Sequence, residues 1–337
     1  MPRTSSLFAI GLMMTLGSAL PAVALDKISF GTNWLAEAEH GGFYQAVADG
    51  TYAKYGLDVT IVQGGPQSPN EALLISGKVD FYMGSVLQTF DDVKNGIPMV
   101  SVGAIFQKDP QILMAHPDAG VDTFADLAKL KTLYMGNDGF TTFFAWMKQT
   151  YPGFSDAQFK PYTFNQAPFM ADKNSAEQGY VTSEPYAVSH AEGGFQPKVF
   201  LIADQGYGSY STLIETTQKL VDSNPDLVQR FVDATAIGWY NYLYGDNKAA
   251  NDLIKKDDPE MTDDQIAYSI QQMKAYGIVV SNDALTGGIG CMTDARLKTF
   301  FDQLVKIGLY DASLDFTKSY TTKFVCKKVG MDLAPKT

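Results

Sequence analysis

The segment Lys27-Ile28-Ser29-Phe30-Gly31-Thr32-Asn33-Trp34, continued by His40-Gly41-Gly42-Phe43-Tyr44 and by Leu57-Asp58-Val59-Thr60-Ile61-Val62 up to Gly64-Gly65, decides the fold. It reads as a strand, an aromatic and acidic loop, a helix opening on two glycines, a second strand and a glycine turn. That order is a βαβ unit and predicts a parallel α/β sheet. In such a sheet, ligands sit where the carboxyl ends of strands lead into helix N-termini. Trp34 and His40 fall at such an end and suit a flat, polar small molecule.

The alternation continues outward from this unit. A helix is predicted from Pro69 to Ser76 and a strand within Gly77–Met83. The Gly84-Ser85 junction opens a helix to Asn95, and strands follow at Met99–Ala104 and Gln111–Ala115. His116-Pro117 stops the last strand, and the pattern restarts. A short helix begins at Thr123, and Thr132–Met135 is a strand. Gly136-Asn137-Asp138-Gly139 is a turn before a helix over Thr142–Tyr151, and a strand lies near Tyr162. Further strands are expected at Gly179–Thr182, Val199–Ala203 and Tyr210–Glu215, the last returning the chain to the first unit. The remainder is helical. Pro225 suits a first helical turn, and Thr262-Asp263-Asp264-Gln265 forms a capping box for a helix ending near Gly277. Thr293 starts another reaching Ile307.

Composition sets the outer limits. Ahead of the βαβ unit, Arg3 precedes an apolar run from Leu7 to Leu20, then Pro21 and Ala22-Val23-Ala24, the pattern of a cleavable export signal over residues 1–24. The run is too short to cross about 30 Å of hydrocarbon comfortably. A mature chain of roughly 300 residues exceeds one hydrophobic core, so two lobes are expected. The boundaries drawn from the pattern are 25–112 for the first part of lobe 1, 113–205 for lobe 2, and 206–337 for the helical return to lobe 1. The formal charge of −11 disfavours nucleic acid and anionic membrane as partners. Cys291 and Cys326, in an oxidising compartment, form either one disulfide or two unpaired thiols. The three histidines are far apart in sequence, and no spacing suggests a metal.

The candidate ligand contacts are Asn33, Trp34 and His40 in the first loop, and Gly84 and Ser85 at the next helix start. Asn137, Phe140 and Thr141 belong to the second glycine turn, and Tyr207 and Tyr210 to the second crossing. Glu184 stands apart, because a carboxylate just past a strand and followed by Pro185 must face solvent or pair with a donor. Each has an ordinary alternative: core packing for the aromatics, N-capping for Ser85, a surface loop for His40. No nucleophile elbow, metal-spaced His/Glu pair or Cys/His constellation is present.

Asn33-Trp34 with His40, Gly50-Thr51-Tyr52-Ala53-Lys54-Tyr55-Gly56-Leu57-Asp58-Val59, Ser76-Gly77-Lys78-Val79-Asp80-Phe81 and Asn224-Pro225-Asp226-Leu227-Val228 together carry a resemblance. The chain resembles periplasmic solute-binding proteins of ABC importers, in the branch that handles thiamine pyrimidine precursors. Nitrate, taurine and sulfonate receptors are the wider kin, and riboflavin-binding members share the architecture. The resemblance implies a bilobal type II periplasmic-binding-protein fold, two α/β lobes joined by two crossing strands, acting as a monomer without cofactor beside separate permease and ATPase subunits. It also implies that Trp34 stacks on the ligand ring and Glu184 meets its nitrogen. Fungal relatives of the branch are pyrimidine-forming enzymes with a Lys and a His at the positions held here by Gly84 and Gln88. Tyr207 to Ser211 replace their cysteine run. With no amine at Gly84, a binding role is expected over an enzymatic one.

Overall fold

A computed structural model describes residues 24–65, 68 and 70–335. The expected export signal and the start of the helix at Pro69 lie outside these residues. Among the described residues, ten strands form two five-stranded sheets: β1 (Asp26–Gly31), β2 (Leu57–Val62), β3 (Phe81–Gly84), β4 (Met99–Phe106), β5 (Gln111–Ala115), β6 (Thr132–Met135), β7 (Phe159–Pro161), β8 (Ser175–Tyr180), β9 (Lys198–Leu201) and β10 (Ser211–Thr217). The first sheet has the order β2-β1-β3-β10-β4, the second β7-β6-β8-β5-β9.

The chain passes between the sheets twice, after β4 and before β10. Each crossing changes strand direction. β1 runs parallel to β2 and β3, but β10 is antiparallel to both β3 and β4. In the second sheet, β6 is parallel to β7 and β8, while β5 is antiparallel to β8 and β9. Both sheets are therefore mixed, the βαβ units supplying the expected parallel strands and the strands next to the crossings running antiparallel. A strand that arrives from the other lobe enters from the opposite end, and strand composition does not record that.

Most elements fall where the pattern put them. The strand expected at Gly179–Thr182 sits earlier, at Ser175–Tyr180, because Ser175 and Glu177 are buried and paired despite their polarity, on either side of Ala176. The turn and strand expected over Gly77–Met83 are a glycine turn at Gly77 and the strand β3 from Phe81. Residues Asn137–Thr141 are a short helix rather than a turn, followed directly by the helix Phe143–Thr150. Ile202 and Ala203, expected to extend β9, belong instead to a 3-10 helix over Ile202–Gln205.

The C-terminal helices pack on the first lobe. Helix Pro225–Tyr244 crosses helix Gly41–Ala48 closely enough that a methyl group on Gly42 would stand 2.1 Å from the Trp239 ring. One on Gly238 would stand 2.4 Å from the Gly42 carbonyl oxygen. These glycines allow the close approach; their use is packing. Beyond the helices, the tail reaches β4 through bridges from Tyr320 to Ser101 and from Gly290 to Ala104. Cys291 and Cys326 are joined by a disulfide across this tail, with Cα atoms 4.5 Å apart.

Candidate functional site

The two sheets face each other through the carboxyl ends of their strands across a cleft of about 820 Å³. Asn33 after β1 and Gly84-Ser85 after β3 line one wall. Asp138, Thr141 and Thr142 after β6, and Tyr180 at the end of β8, line the other. Asp109 and Gln111 from the first crossing and Tyr207, Ser209 and Tyr210 from the second form the base.

Local hydrogen bonds hold the first loop in place. The Asn70 side-chain amide donates to the carbonyls of Thr32 and Val62, at 2.9 and 3.0 Å, tying the ends of β1 and β2 together. The Thr32 hydroxyl donates to the Trp34 carbonyl and accepts from the Gly64 amide. Trp34 is thereby held half-buried, and its ring meets Phe164 of the second lobe at 5.3 Å between centroids, inclined by 38°. Phe164 is 68% exposed and adopts a left-handed φ of 58°, a conformation that costs a bulky residue free energy. Its ring also lies 5.4 Å from Tyr162. This aromatic trio spans the gap between the lobes. Nothing in sequence pattern marks Phe164, which lies among polar loop residues.

His40 ends a 3-10 turn before helix Gly41–Ala48 and is completely buried, with neither ring nitrogen hydrogen-bonded. Burial lowers its pKa to about 3, so the ring is neutral. Its 3.9 Å approach to Glu37 is therefore not an ion pair. The ring is absent from the cleft lining, unlike Asn33 seven residues earlier.

Ser85 lines the cleft and caps helix Val86–Asn95, its hydroxyl accepting from the Gln88 amide at 3.2 Å. Thr141 also lines it, with its hydroxyl directed to the carbonyls of Asn137 and Asp138. Asn137 is exposed outside the lining. Phe140 packs within the second lobe, 4.3 Å from the Phe159 ring. From that turn, Asp138 and Thr142 face the cleft as Thr141 does.

Tyr207 packs on Trp146 and Phe300 and leaves its hydroxyl without a partner. The Tyr210 hydroxyl donates to Asp283 at 2.5 Å and accepts from the Thr293 amide, while Arg296 covers its ring. It ties the second crossing to the C-terminal helices. Glu184 begins helix Glu184–His190 and accepts from the Tyr180 amide at 2.6 Å. Burial raises its pKa to about 7, with Glu39 adding repulsion. Glu37 of the first lobe is raised as well, by burial and then by Glu39, Glu184 and Asp258. Glu184 and Glu177 also act on Tyr162, whose hydroxyl is raised chiefly by burial. Glu184 thus acts electrostatically on Tyr162 and Glu37, and both it and Trp34, expected as ligand contacts, stand outside the cleft lining.

The cleft is acidic. Among the described residues, Glu71, Asp91, Asp92, Asp109 and Asp138 line it against Lys94 as the one lining lysine, with no lining arginine. Sequence reading missed all five carboxylates, because acidic residues are common throughout the chain. Asp109 had a usable signal: a crossing between lobes must border the cleft. Asp109 is raised to about 6 and Asp92 to about 6, in both cases mainly by burial. Among the described residues, no cluster of three metal-type ligands is present.

With this geometry in hand, three similarities are informative. The riboflavin-binding protein RibY of Chloroflexus aurantiacus is 24% identical over 309 residues, covering 89% of this chain and 86% of its own. The 4-amino-5-hydroxymethyl-2-methylpyrimidine phosphate synthase of Schizosaccharomyces pombe is 29% identical over 119 residues, only 35% of this chain and 34% of the enzyme. The periplasmic aliphatic sulphonate binding protein SsuA of Escherichia coli superposes with a TM-score of 0.64 at 13% identity, covering 87% of this chain and 91% of that one. The bilobal periplasmic-binding-protein fold is common ground with that structure. The NMT1/THI5-like family profile matches residues 37–250, and the chain belongs to this family.

Proposed function

We propose that this protein is the substrate-binding component of an ABC importer, capturing a small amino-bearing heterocycle of the thiamine-pyrimidine-precursor class in the periplasm. The observation that carries this reading is the cleft itself, with walls from both lobes and a strongly acidic lining; the Trp34–Phe164 ring contact joins the lobes outside that lining. An acidic, partly desolvated wall favours amino groups and ring N–H donors, and repels sulfonate, nitrate and phosphate. A planar ring stacked on Trp34 would be held from the other lobe by Phe164, Tyr162 and Glu184, so closure and ligand binding stabilise one another. Release to a permease and its ATPase follows from reopening. The disulfide is in keeping with an exported protein, and no described helix is long and apolar enough to cross a membrane.

A second reading is a riboflavin receptor of the same fold. The cleft volume favours it, being near the top of the roughly 300–1,000 Å³ typical of ligand pockets and larger than a single pyrimidine needs. The similarity to RibY along most of both chains adds to it. A pyrimidine-forming enzyme is disfavoured at Gly84, which offers no amine for a Schiff base. A side chain there would begin 2.0 Å from a Glu215 oxygen.

Calorimetric titration with 4-amino-5-hydroxymethyl-2-methylpyrimidine, riboflavin and ethanesulfonate separates these readings. Binding of the pyrimidine supports the first and of riboflavin the second. Binding of the sulfonate alone would sink both. Incubation with pyridoxal phosphate should produce no aldimine absorbance.

A further inference from the structure

Beneath the Gly84-Ser85 junction the cleft extends toward Glu71 and Asp92, and a third carboxyl group closes this recess. Glu215 lies on β10, opposite Tyr82 of β3, so both side chains project from the same face of the sheet. Glu215 is 1% exposed, and neither of its carboxyl oxygens has a hydrogen-bond partner. They occupy the space a side chain at position 84 would fill, 2.0 and 2.4 Å from where its Cβ would stand. Asp92 is also buried, with Oδ2 unpartnered. Among the described residues, none of Glu71, Asp92 and Glu215 makes an ion pair. Lys94 stands 6.0 Å over the Tyr310 ring.

A buried carboxyl with both oxygens unsatisfied is costly unless something fills the role of donor. The three acids do not form a set able to hold a metal ion. An organic ammonium group, with its N–H donors and single positive charge, fits this demand.

We infer that the recess bounded by Glu215, Asp92 and Glu71 is a subsite for a protonated amine, so that the ligand carries an amino-alkyl group in addition to its ring. This inference rests on the proposed role as a receptor for a small amino-bearing heterocycle and narrows its ligand class. The ammonium donates to Glu215 from the cleft side, beside Gly84, whose missing side chain leaves the room that the Glu215 carboxyl occupies. Burial, then Asp92 and Glu71, raise Glu215 well above the usual carboxylate range and so favour its protonated form, against a smaller opposing pull from the Ser85 backbone amide. Tyr82 on β3 is itself raised, by burial and then by Glu215 and Glu71, and adds no charge. When the ammonium seats, Glu215 loses its proton to the buffer, and the carboxylate–ammonium pair replaces a neutral acid. One cation enters and one proton leaves.

The test uses 4-amino-5-aminomethyl-2-methylpyrimidine, its 5-hydroxymethyl counterpart and cyclohexylmethylamine, titrated calorimetrically in two buffers of different protonation enthalpy. The aminomethyl compound is expected to bind about tenfold or more tightly than the alcohol. It should release about one proton at neutral pH, and the alcohol none. Glu215→Gln should abolish both the preference and the release. Equal affinities in the wild type, or a preference that survives in Glu215→Gln, overturn the subsite while leaving the heterocycle reading intact. Cyclohexylmethylamine binding where neither pyrimidine binds overturns the heterocycle reading and keeps the subsite. No binding by either amine overturns the subsite. Should Glu215→Gln fail to fold, the wild-type proton count decides, and amine binding without proton release refutes the assignment.

Discussion

Trp34 and Phe164 meet from different lobes, one in an ordinary loop conformation and the other held at positive φ. Strain of that kind persists when the surroundings enforce it, and here the ring is held against Trp34 of the other lobe. Trp34→Ala is expected to weaken binding of the cognate ring by about tenfold, or roughly 1.4 kcal/mol. Phe164→Ala should act mainly by raising the dissociation rate, as loss of a closing contact does. Titration calorimetry and stopped-flow fluorescence of Trp34 separate the two. A third residue sets a pH dependence. Glu177 on β8 is fully buried with both oxygens unpartnered, and its pKa rises from 4.5 to about 9, through burial first and Glu184 second. Across that window the folded chain keeps a proton that the unfolded chain has released. Stability is therefore fully present below pH 4.5 and lost as pH rises toward 9, by up to about 1.4 kcal/mol per pH unit. Glu177→Gln should flatten this slope in urea denaturation series, and an unchanged slope would remove Glu177 from the account.

At the level of elements, helix Gly41–Ala48 illustrates how much pattern reading delivers. Its position after β1 and its two opening glycines are plain in sequence, yet the reason for the glycines is not. They face Tyr242 and Trp239 of helix Pro225–Tyr244, some 200 residues away in sequence. Gly42→Ala should destabilise the first lobe by about 1–3 kcal/mol through overpacking against a buried indole, read as a lower urea midpoint at unchanged slope. His40 belongs to the same lesson. Its place before a helix N-terminus is the same whether it faces a ligand or a core, and only the burial of its neighbours decides. The Gly84-Ser85 junction is the converse, legible as a helix start bordering a cleft because strand end and cap coincide there. Glu215, which supplies the chemistry beneath it, sits 131 positions later on a strand read simply as returning the chain to the first unit.

For the molecule as a whole, the tail from Cys291 to Cys326 binds the C-terminal segment to β4 and to helix Pro225–Tyr244. Replacing both cysteines by serine removes a cross-link closing 35 residues of sequence separation, at a cost of about 2–4 kcal/mol. Thermal unfolding with and without reductant should report it. The replacement should leave ligand affinity within about twofold, because the bridge lies outside the cleft lining. Alternating strand and helix signals, the length beyond one core and the glycine-marked junctions were enough to specify two α/β lobes with a ligand-sized opening between them, since period and turn chemistry are local properties of the chain. Strand direction at the crossings, the unpaired carboxyl groups and the contact of Trp34 with Phe164 depend on which distant segments meet. Burial and charge pairing are properties of that meeting, so only the folded molecule could decide them.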